Sequence, residues 1–199
     1  MDGGIYPAPD EWLRALRAAT AARGILLVCD EIQAGCGRTG DFFGFTRSGI
    51  TPDLVTLSKS LGGAGLPISV LLVRPELDVW APGEHTGTFR GNQLAFVAGA
   101  AALRLWSDPA FRADLAARSA RLAAFAAELD QPTRVRGMAL GVDTGDARRA
   151  EEVQAACFAD GLVLETCGRA DAVLKVTPPL TIAADELDRG LTVLAKALR

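Results

Sequence analysis

The chain has 199 residues, 49% of them hydrophobic and 23% charged, a composition that allows a buried core and argues against intrinsic disorder. Its formal net charge of -3 provides no basic field, so nucleic acids and membrane surfaces are poor candidate partners and small molecules are better ones. No apolar run approaches the roughly 20 residues of a transmembrane helix, and the first residues lack a signal-peptide pattern, so we expect a cytoplasmic protein.

The first half of the chain is predicted to form the sheet of an α/β domain. A proline followed by two acidic residues at 9–11 predicts a helix start, and Gly24 a stop. Short apolar runs predict strands at 25–29, 54–57 and 68–73, and the first run ends at Asp30-Glu31. A glycine-rich loop at 35–44 follows that first strand.

The second half is predicted to be a smaller α+β domain. Alanine-rich helical patterns run from 93 to about 106 and from 109 to 129, with a Ser107-Asp108 cap between them. Further patterns predict strands at 135–142, 162–165 and 173–176, and helices at 147–159 and from 184 onward. We therefore expect two domains, residues 1–106 and 107–199.

Residues that could bind metal ions are few and dispersed. Four cysteines, at positions 29, 36, 157 and 167, lack paired spacing, and His85 is the only histidine. We expect reduced thiols and no metal site.

Three segments carry groups that a pyridoxal phosphate site needs. Asp30 follows the first strand, Lys59 follows the second, and Thr88 lies in a loop rich in glycine and hydroxyl groups. An acid keeps the pyridine nitrogen protonated, an amine forms the imine and moves the substrate's proton, and hydroxyls hold the phosphate. Taken singly, the acid could instead be a helix cap, the lysine a surface charge and the threonine an ordinary loop residue.

The wording of these segments, DEIQAGCGRTG, TLSKSLGG and GEHTGTFRGN, resembles that of the class III, or omega, aminotransferases among the fold type I pyridoxal phosphate enzymes. The resemblance implies the C-terminal part of a large cofactor domain followed by a small α+β domain. It also implies residue roles: Lys59 binds the cofactor covalently, Asp30 pairs with the pyridine nitrogen, and Gln33 lies near the ring hydroxyl. Thr88 is implied to bind the phosphate across the interface of a homodimer.

Within that family, the wording is most similar to the diaminobutyrate-2-oxoglutarate transaminases, which serve ectoine and some siderophore or peptide pathways. The implied reaction transfers an amino group from glutamate to aspartate 4-semialdehyde, giving 2-oxoglutarate and 2,4-diaminobutyrate. Many family members hold the substrate carboxylate with an arginine before a Pro-Pro-Leu segment. Lys175 precedes that segment here, so it is either a carboxylate partner acting as a point charge or a surface charge.

Family members are longer than this chain and carry a phosphate-binding turn and a ring-stacking aromatic ahead of the part that resembles it. Neither is found in this sequence, so we expect it to be a C-terminal half that is inactive alone. Two alternatives stay open: another omega-aminotransferase, of the ornithine or 4-aminobutyrate type, and a non-catalytic remnant. A dinucleotide site is disfavoured, because the G-x-G-x-x-G match at 35–40 opens no predicted helix.

Overall fold

The structure, a computed structural model, describes residues 1–87 and 90–199. Its backbone divides into two compact units. Unit I comprises residues 8–36 and 41–111, and unit II comprises residues 1–7, 37–40 and 112–199. The domain division proposed from the sequence, at residues 106 and 107, stays a prediction.

In the part of unit I that the structure describes, a three-stranded sheet is accompanied by helices α1 and α2. The strands β1 (Val28–Asp30) and β2 (Leu54–Leu57) are parallel, and β3 (Val70–Val73) is antiparallel to β2. Helix α1 (Asp10–Ala21) carries two acidic residues in its first turn, and Asn92 caps α2 (Gln93–Ser107) by accepting a hydrogen bond from the amide of residue 95.

One face of this sheet is covered and the other is open. Val55 and Leu57 point into a core with Leu61 and nearby phenylalanines. Since side chains alternate along a strand, their neighbours Leu54 and Thr56 lie on the opposite face, where Asp30 is paired with Thr56. The prediction for β2 is confirmed at both ends.

The predicted start of β1, at residue 25, is wrong by three positions. Ile25 donates its amide hydrogen to the carbonyl of Thr20 and so closes the end of α1. The amide of Leu27 donates to a carboxylate oxygen of Asp53 at 2.8 Å rather than to a neighbouring strand. The apolar run is therefore only partly strand.

Unit II is a four-stranded antiparallel sheet packed against helices. Its strands follow the order β4-β5-β7-β6, and they are β4 (Thr133–Arg136), β5 (Ala139–Asp143), β6 (Glu165–Cys167) and β7 (Val173–Val176). The helices are α3 (Pro109–Ala127), whose first residues belong to unit I, α4 (Ala147–Ala159) and α5 (Ala184–Leu198). The predictions for α4 and β7 are confirmed, as is the cap by Asp108, which accepts the amide hydrogen of Ala110 at 2.8 Å.

The two faces of the unit II sheet bury different side chains. Leu140, Val142 and Leu174 pack against residues of α3, α4 and α5 in the larger core. On the other face, Val173 packs with Ile5, which belongs to the amino-terminal segment of this unit. Lys175 shares the face of Val173, because it lies two residues further along β7.

Two strand predictions in unit II are wrong. Residues 135–142 form a hairpin rather than one strand, because the chain reverses at Gly137, where φ is 58°. The strand predicted at 162–165 begins only at Glu165. Leu162 instead donates its amide hydrogen to Cys157 at the end of α4, and the carbonyl of Leu164 accepts from the side chain of Gln154.

Candidate active site

Asp30 and Lys59 meet the same edge of the unit I sheet. Asp30 is the last residue of β1, and Lys59 lies two residues beyond the end of β2. The two strands are neighbours and parallel, so their carboxyl ends open on one edge. The acid and the amine that the sequence singled out thus lie at the same sheet edge, and both residues are exposed.

Lys59 occupies a sharp turn at the end of β2. Its φ of 47° lies in the left-handed region, which non-glycine residues adopt infrequently, and it begins a short 3-10 turn, Lys59–Gly62. The preceding Ser58 donates its hydroxyl to the carbonyl of Ile68 at 2.7 Å, which fixes the turn against the start of β3. Backbone of this kind tends to persist only where its surroundings hold it, often at functional sites.

Asp30 is oriented by hydrogen bonds to one of its two oxygens. Its Oδ1 accepts from the amide of Ile32 at 3.0 Å and from the hydroxyl of Thr56 at 3.2 Å. Within the described part of the chain, no group donates to Oδ2. The carboxylate is therefore held in place with one oxygen still able to accept a hydrogen bond.

Glu31, next to Asp30, has a different role. Its side chain is buried and accepts the amide hydrogen of Gly44 at 2.9 Å, and that of Phe45 as well. Burial raises the pKa of this carboxyl, while the two amides oppose the rise. Glu31 thereby ties the far end of the glycine-rich loop back to β1.

The remaining predicted cofactor residues are Gln33 and Thr88. Gln33 lies partly buried in the loop directly after Asp30. Thr88 lies outside the described residues. Among the residues that are described, no group of three or more His, Cys, Asp or Glu side chains could hold a metal ion, and the four cysteines are free thiols.

Lys175, the predicted substrate residue, lies in unit II and is already paired. Its Nζ lies 2.8 Å from Asp2 Oδ1 and 2.9 Å from Glu165 Oε2, and its side chain is only 10% exposed. Burial lowers the pKa of this amine, but hydrogen bonds and charge interactions with Asp2 and Glu165 outweigh burial, so the net pKa is raised. Lys175 is thus a charged and largely covered group rather than a solvated one.

Arg38 lies within the G-x-G-x-x-G match at 35–40, and its guanidinium is an anchored group of unit II. Its Nη1 donates to the carbonyls of Met138 at 3.0 Å and Pro178 at 2.5 Å. Burial lowers the pKa of Arg38 to about 10. An arginine flanked by glycines in a loop was the available signal, but its partners are too far along the chain to be inferred.

Comparison with known proteins identifies the family to which the chain belongs. The family model described as aminotransferase class-III matches residues 1–198, so the chain belongs to the class III aminotransferases. The N-acetylornithine aminotransferase from Stenotrophomonas maltophilia K279a is similar in structure, with a TM-score of 0.83 and 32% sequence identity over 98% of this chain and 53% of that one. An aminotransferase of Bacillus anthracis gives a TM-score of 0.87 at 25% identity, over 100% of this chain and 50% of that one.

Curated relatives are more similar in sequence. The uncharacterized aminotransferase y4qG of Sinorhizobium fredii is 48% identical over 99% of this chain and 46% of its own length. The diaminobutyrate-2-oxoglutarate transaminase of Nocardia farcinica is 49% identical over 99% of this chain and 47% of its own length. The chain therefore spans about half the length of the curated relatives it matches.

Proposed function

We propose that this chain supplies the amine and the acid of a pyridoxal phosphate site in a transaminase. The observation that carries the proposal is the position of Asp30 and Lys59 after neighbouring parallel strands, which puts both at one sheet edge. Membership of the class III aminotransferases supports pyridoxal phosphate as the cofactor.

The amine and the carboxylate at this edge fit that cofactor. An exposed amine on Lys59 is free to react with an aldehyde, and Asp30 keeps one oxygen available for a protonated ring nitrogen. When bound, pyridoxal phosphate withdraws electrons from the substrate's Cα, so that this carbon can lose its proton. Gln33 is proposed to contact the ring hydroxyl and Thr88 the phosphate.

In this arrangement the two principal residues do different work. The negative charge of Asp30, oriented by Thr56, favours a proton on the nitrogen it faces and so stabilises charge that develops during reaction. The amine of Lys59 takes the proton from Cα of the substrate and returns a proton later, as the amino group is transferred. Its position in a fixed turn limits the directions in which the amine can move.

For the whole protein we propose amino transfer between glutamate and aspartate 4-semialdehyde, giving 2-oxoglutarate and 2,4-diaminobutyrate. This proposal is supported by sequence identity to relatives that are named for this reaction, such as the diaminobutyrate-2-oxoglutarate transaminase from Nocardia farcinica. Lys175 is proposed to bind a substrate carboxylate, which must then compete with Asp2 and Glu165 for the same amine. We also propose that the whole protein is a homodimer and that it acts in the cytoplasm. As a separate finding, none of the helices in the described part of the chain combines the length and the apolar character of a membrane span.

A second candidate is a transaminase for ornithine-like substrates. It is favoured by the structural likeness to the N-acetylornithine aminotransferase from Stenotrophomonas maltophilia. The two candidates share the chemistry at Asp30 and Lys59. They differ only in the substrates between which the amino group is transferred.

The test uses the full-length gene product with pyridoxal phosphate and pairs of amino donors and acceptors. We expect the highest kcat/KM for diaminobutyrate with 2-oxoglutarate, above that for ornithine, N-acetylornithine and 4-aminobutyrate. Lys59→Ala is expected to lower kcat by orders of magnitude and to remove the visible absorbance of lysine-bound cofactor, because the nucleophile is lost. Lys59→Arg is the matched control: it keeps the charge but not a reactive amine, so it should be equally inactive. Normal turnover in either variant contradicts the role of Lys59.

A further inference from the structure

The chain that follows β7 in unit II contains two consecutive prolines, Pro178 and Pro179. Proline has no amide hydrogen, so this stretch cannot continue the hydrogen-bonded ladder of β7. The carbonyl groups of the stretch remain and can accept hydrogen bonds from groups outside the ladder. The position of the stretch therefore depends on which groups donate those hydrogen bonds.

Each of three successive carbonyls in this stretch has an identified donor. The carbonyl of Pro178 accepts from Arg38 Nη1 at 2.5 Å, and that of Pro179 accepts from the amide of Ile182 at 3.1 Å. The carbonyl of Leu180 accepts from Arg118 on α3 at 3.4 Å. Only the contact with Arg38 is a short hydrogen bond to a charged side chain, which is the stronger kind.

Arg38 is itself held by the turn between β4 and β5. Its carbonyl accepts the amide hydrogen of Met138 at 2.8 Å, and its Nη1 donates back to the carbonyl of Met138 at 3.0 Å. Gly137 allows this approach, since a Cβ there would lie 2.7 Å from the carbonyl oxygen of Arg38. The side chain thus joins two stretches of unit II, the β4–β5 turn and the proline stretch.

The charge of Arg38 is satisfied by carbonyls alone. Within the described residues, no carboxylate lies in ion-pair contact with it. Guanidinium keeps its charge under burial far better than a lysine amine would, since its ordinary pKa is higher. This explains why an arginine suits the position.

From these contacts we propose that Arg38 is a positioning residue that holds the stretch after β7 and, through it, the end of the strand that carries Lys175. Lys175 lies on β7 three residues before Pro178, so a shift of the stretch changes where its amine is presented. The kinetic part of this inference rests on the proposed function, in which Lys175 binds a substrate carboxylate.

The first test measures the protection of backbone amides and does not depend on activity. Hydrogen exchange of the full-length protein is followed by mass spectrometry in Arg38→Met and in Arg148→Met, a control whose exposed side chain pairs with Glu152 on its own helix. We expect Arg38→Met to raise exchange in peptides covering residues 138–142 and 180–183 by about tenfold, the effect of losing charge-assisted hydrogen bonds. Helix α4 should be unaffected, and the control should resemble wild type in every peptide. Unchanged exchange around 180–183 overturns the proposal.

The second test is kinetic. We expect Arg38→Met to raise KM for the amino acid by about tenfold with a much smaller change in kcat, because the lost hydrogen bonds act on substrate placement. Arg38→Lys should restore KM at neutral pH. Since burial lowers the pKa of a cation here, the lysine variant should lose that rescue as the pH rises toward the alkaline range.

The outcomes separate the two proposals. An unchanged KM in Arg38→Met overturns the role of Arg38, even if Lys59 proves essential. A fall in kcat as large as the change expected in KM, with KM itself unchanged, overturns it as well. Full activity in Lys59→Ala overturns the proposed function, while the exchange measurement still decides whether Arg38 holds the proline stretch.

Discussion

Asp53 shows how a single buried carboxylate can organise unit I. It directly precedes β2 and accepts hydrogen bonds from Arg17 of α1 at 2.5 Å, from Arg74 after β3 at 2.9 Å, and from the amide of Leu27 at 2.8 Å. The side chain is nearly fully buried. These donors, with Arg17 first among them, hold the pKa of Asp53 well below its usual range. The carboxylate therefore joins α1 to the ends of all three strands.

We predict that Asp53→Asn lowers the free energy of unfolding by about 3 kcal/mol at neutral pH, because it leaves two guanidinium groups without their shared acid. Glu76→Gln is the control: Glu76 pairs with the same Arg74 at 2.7 Å but is 56% exposed, so its loss should cost less than about 1 kcal/mol. Urea unfolding at pH 7 measures both. Equal losses in the two variants contradict the assignment.

The pH dependence of stability follows from the same contact. Because the pKa of Asp53 is lower in the folded state, its contribution is fully present above the ordinary aspartate pKa of about 3.9 and is lost as the pH falls below it. The free energy of unfolding of the wild type should therefore fall as the pH is lowered through that range. The free energy of unfolding of Asp53→Asn should depend less on pH in that range, since the amide does not titrate.

The placement of two residues of the proposed site, Asp30 and Lys59, follows from local sequence patterns. Asp30 and Lys59 follow short apolar runs, and parallel pairing of the strands that form within those runs brings the two residues to one edge. The partners of Lys175 could not be predicted in this way, because Asp2 lies at the other end of the chain. Arg38 and Pro178 are likewise brought together by the folding of unit II and not by any local pattern.

At the scale of elements, a strand is predicted correctly where the backbone of an apolar run also pairs with neighbouring strands. Strand β2 is such a case, with Val55 and Leu57 buried between two paired strands. Prediction fails where apolar residues are buried without pairing. Leu164 packs into the main core of unit II, but its carbonyl is taken by the Gln154 side chain, so no strand forms there. Periodicity reports burial and cannot report which group satisfies the backbone.

The β4–β5 hairpin depends on one glycine. Gly137 has a φ of 58°, and a Cβ on it would lie 2.4 Å from the backbone of Thr39 and of Gly40. The neighbouring chain is backbone rather than a flexible side chain, so it cannot move aside without disturbing the contacts of Arg38. The sequence contains the glycine, but the close approach arises only in the folded unit.

We predict that Gly137→Ala destabilises the protein by about 3 kcal/mol or more, through steric overlap added to the cost of a left-handed alanine. Gly145→Ala isolates the backbone cost: Gly145 has a φ of 87° and no atom within 4 Å of a built Cβ, so about 1 kcal/mol is expected. Thermal unfolding of both variants measures the difference. A Gly137→Ala protein as stable as Gly145→Ala shows that the approach is not rigid.

On the scale of the whole molecule, the two units differ in how well they cover their apolar residues. Unit II encloses a large core between its sheet and its helices. In unit I, the sheet face that carries Asp30 leaves Val28 53% exposed and Leu71 41% exposed. Helix α2 exposes Phe96 and, at 68%, Val97. Exposed apolar surface of this extent is typical of faces that are covered by other protein.

We therefore predict that the 199-residue polypeptide, expressed alone, self-associates, binds the dye ANS, and takes up pyridoxal phosphate weakly with no detectable transamination. The exposed residues of α2 drive association, so a Phe96→Gln, Val97→Gln variant should be less aggregated. Phe158→Gln is the control, because Phe158 is also exposed but lies on α4 in unit II. Light scattering, dye fluorescence and a cofactor titration measure these properties. A monodisperse polypeptide with stoichiometric, tight cofactor binding and glutamate-dependent turnover would contradict the prediction, because unit I would then bury enough surface and hold the cofactor without further chain.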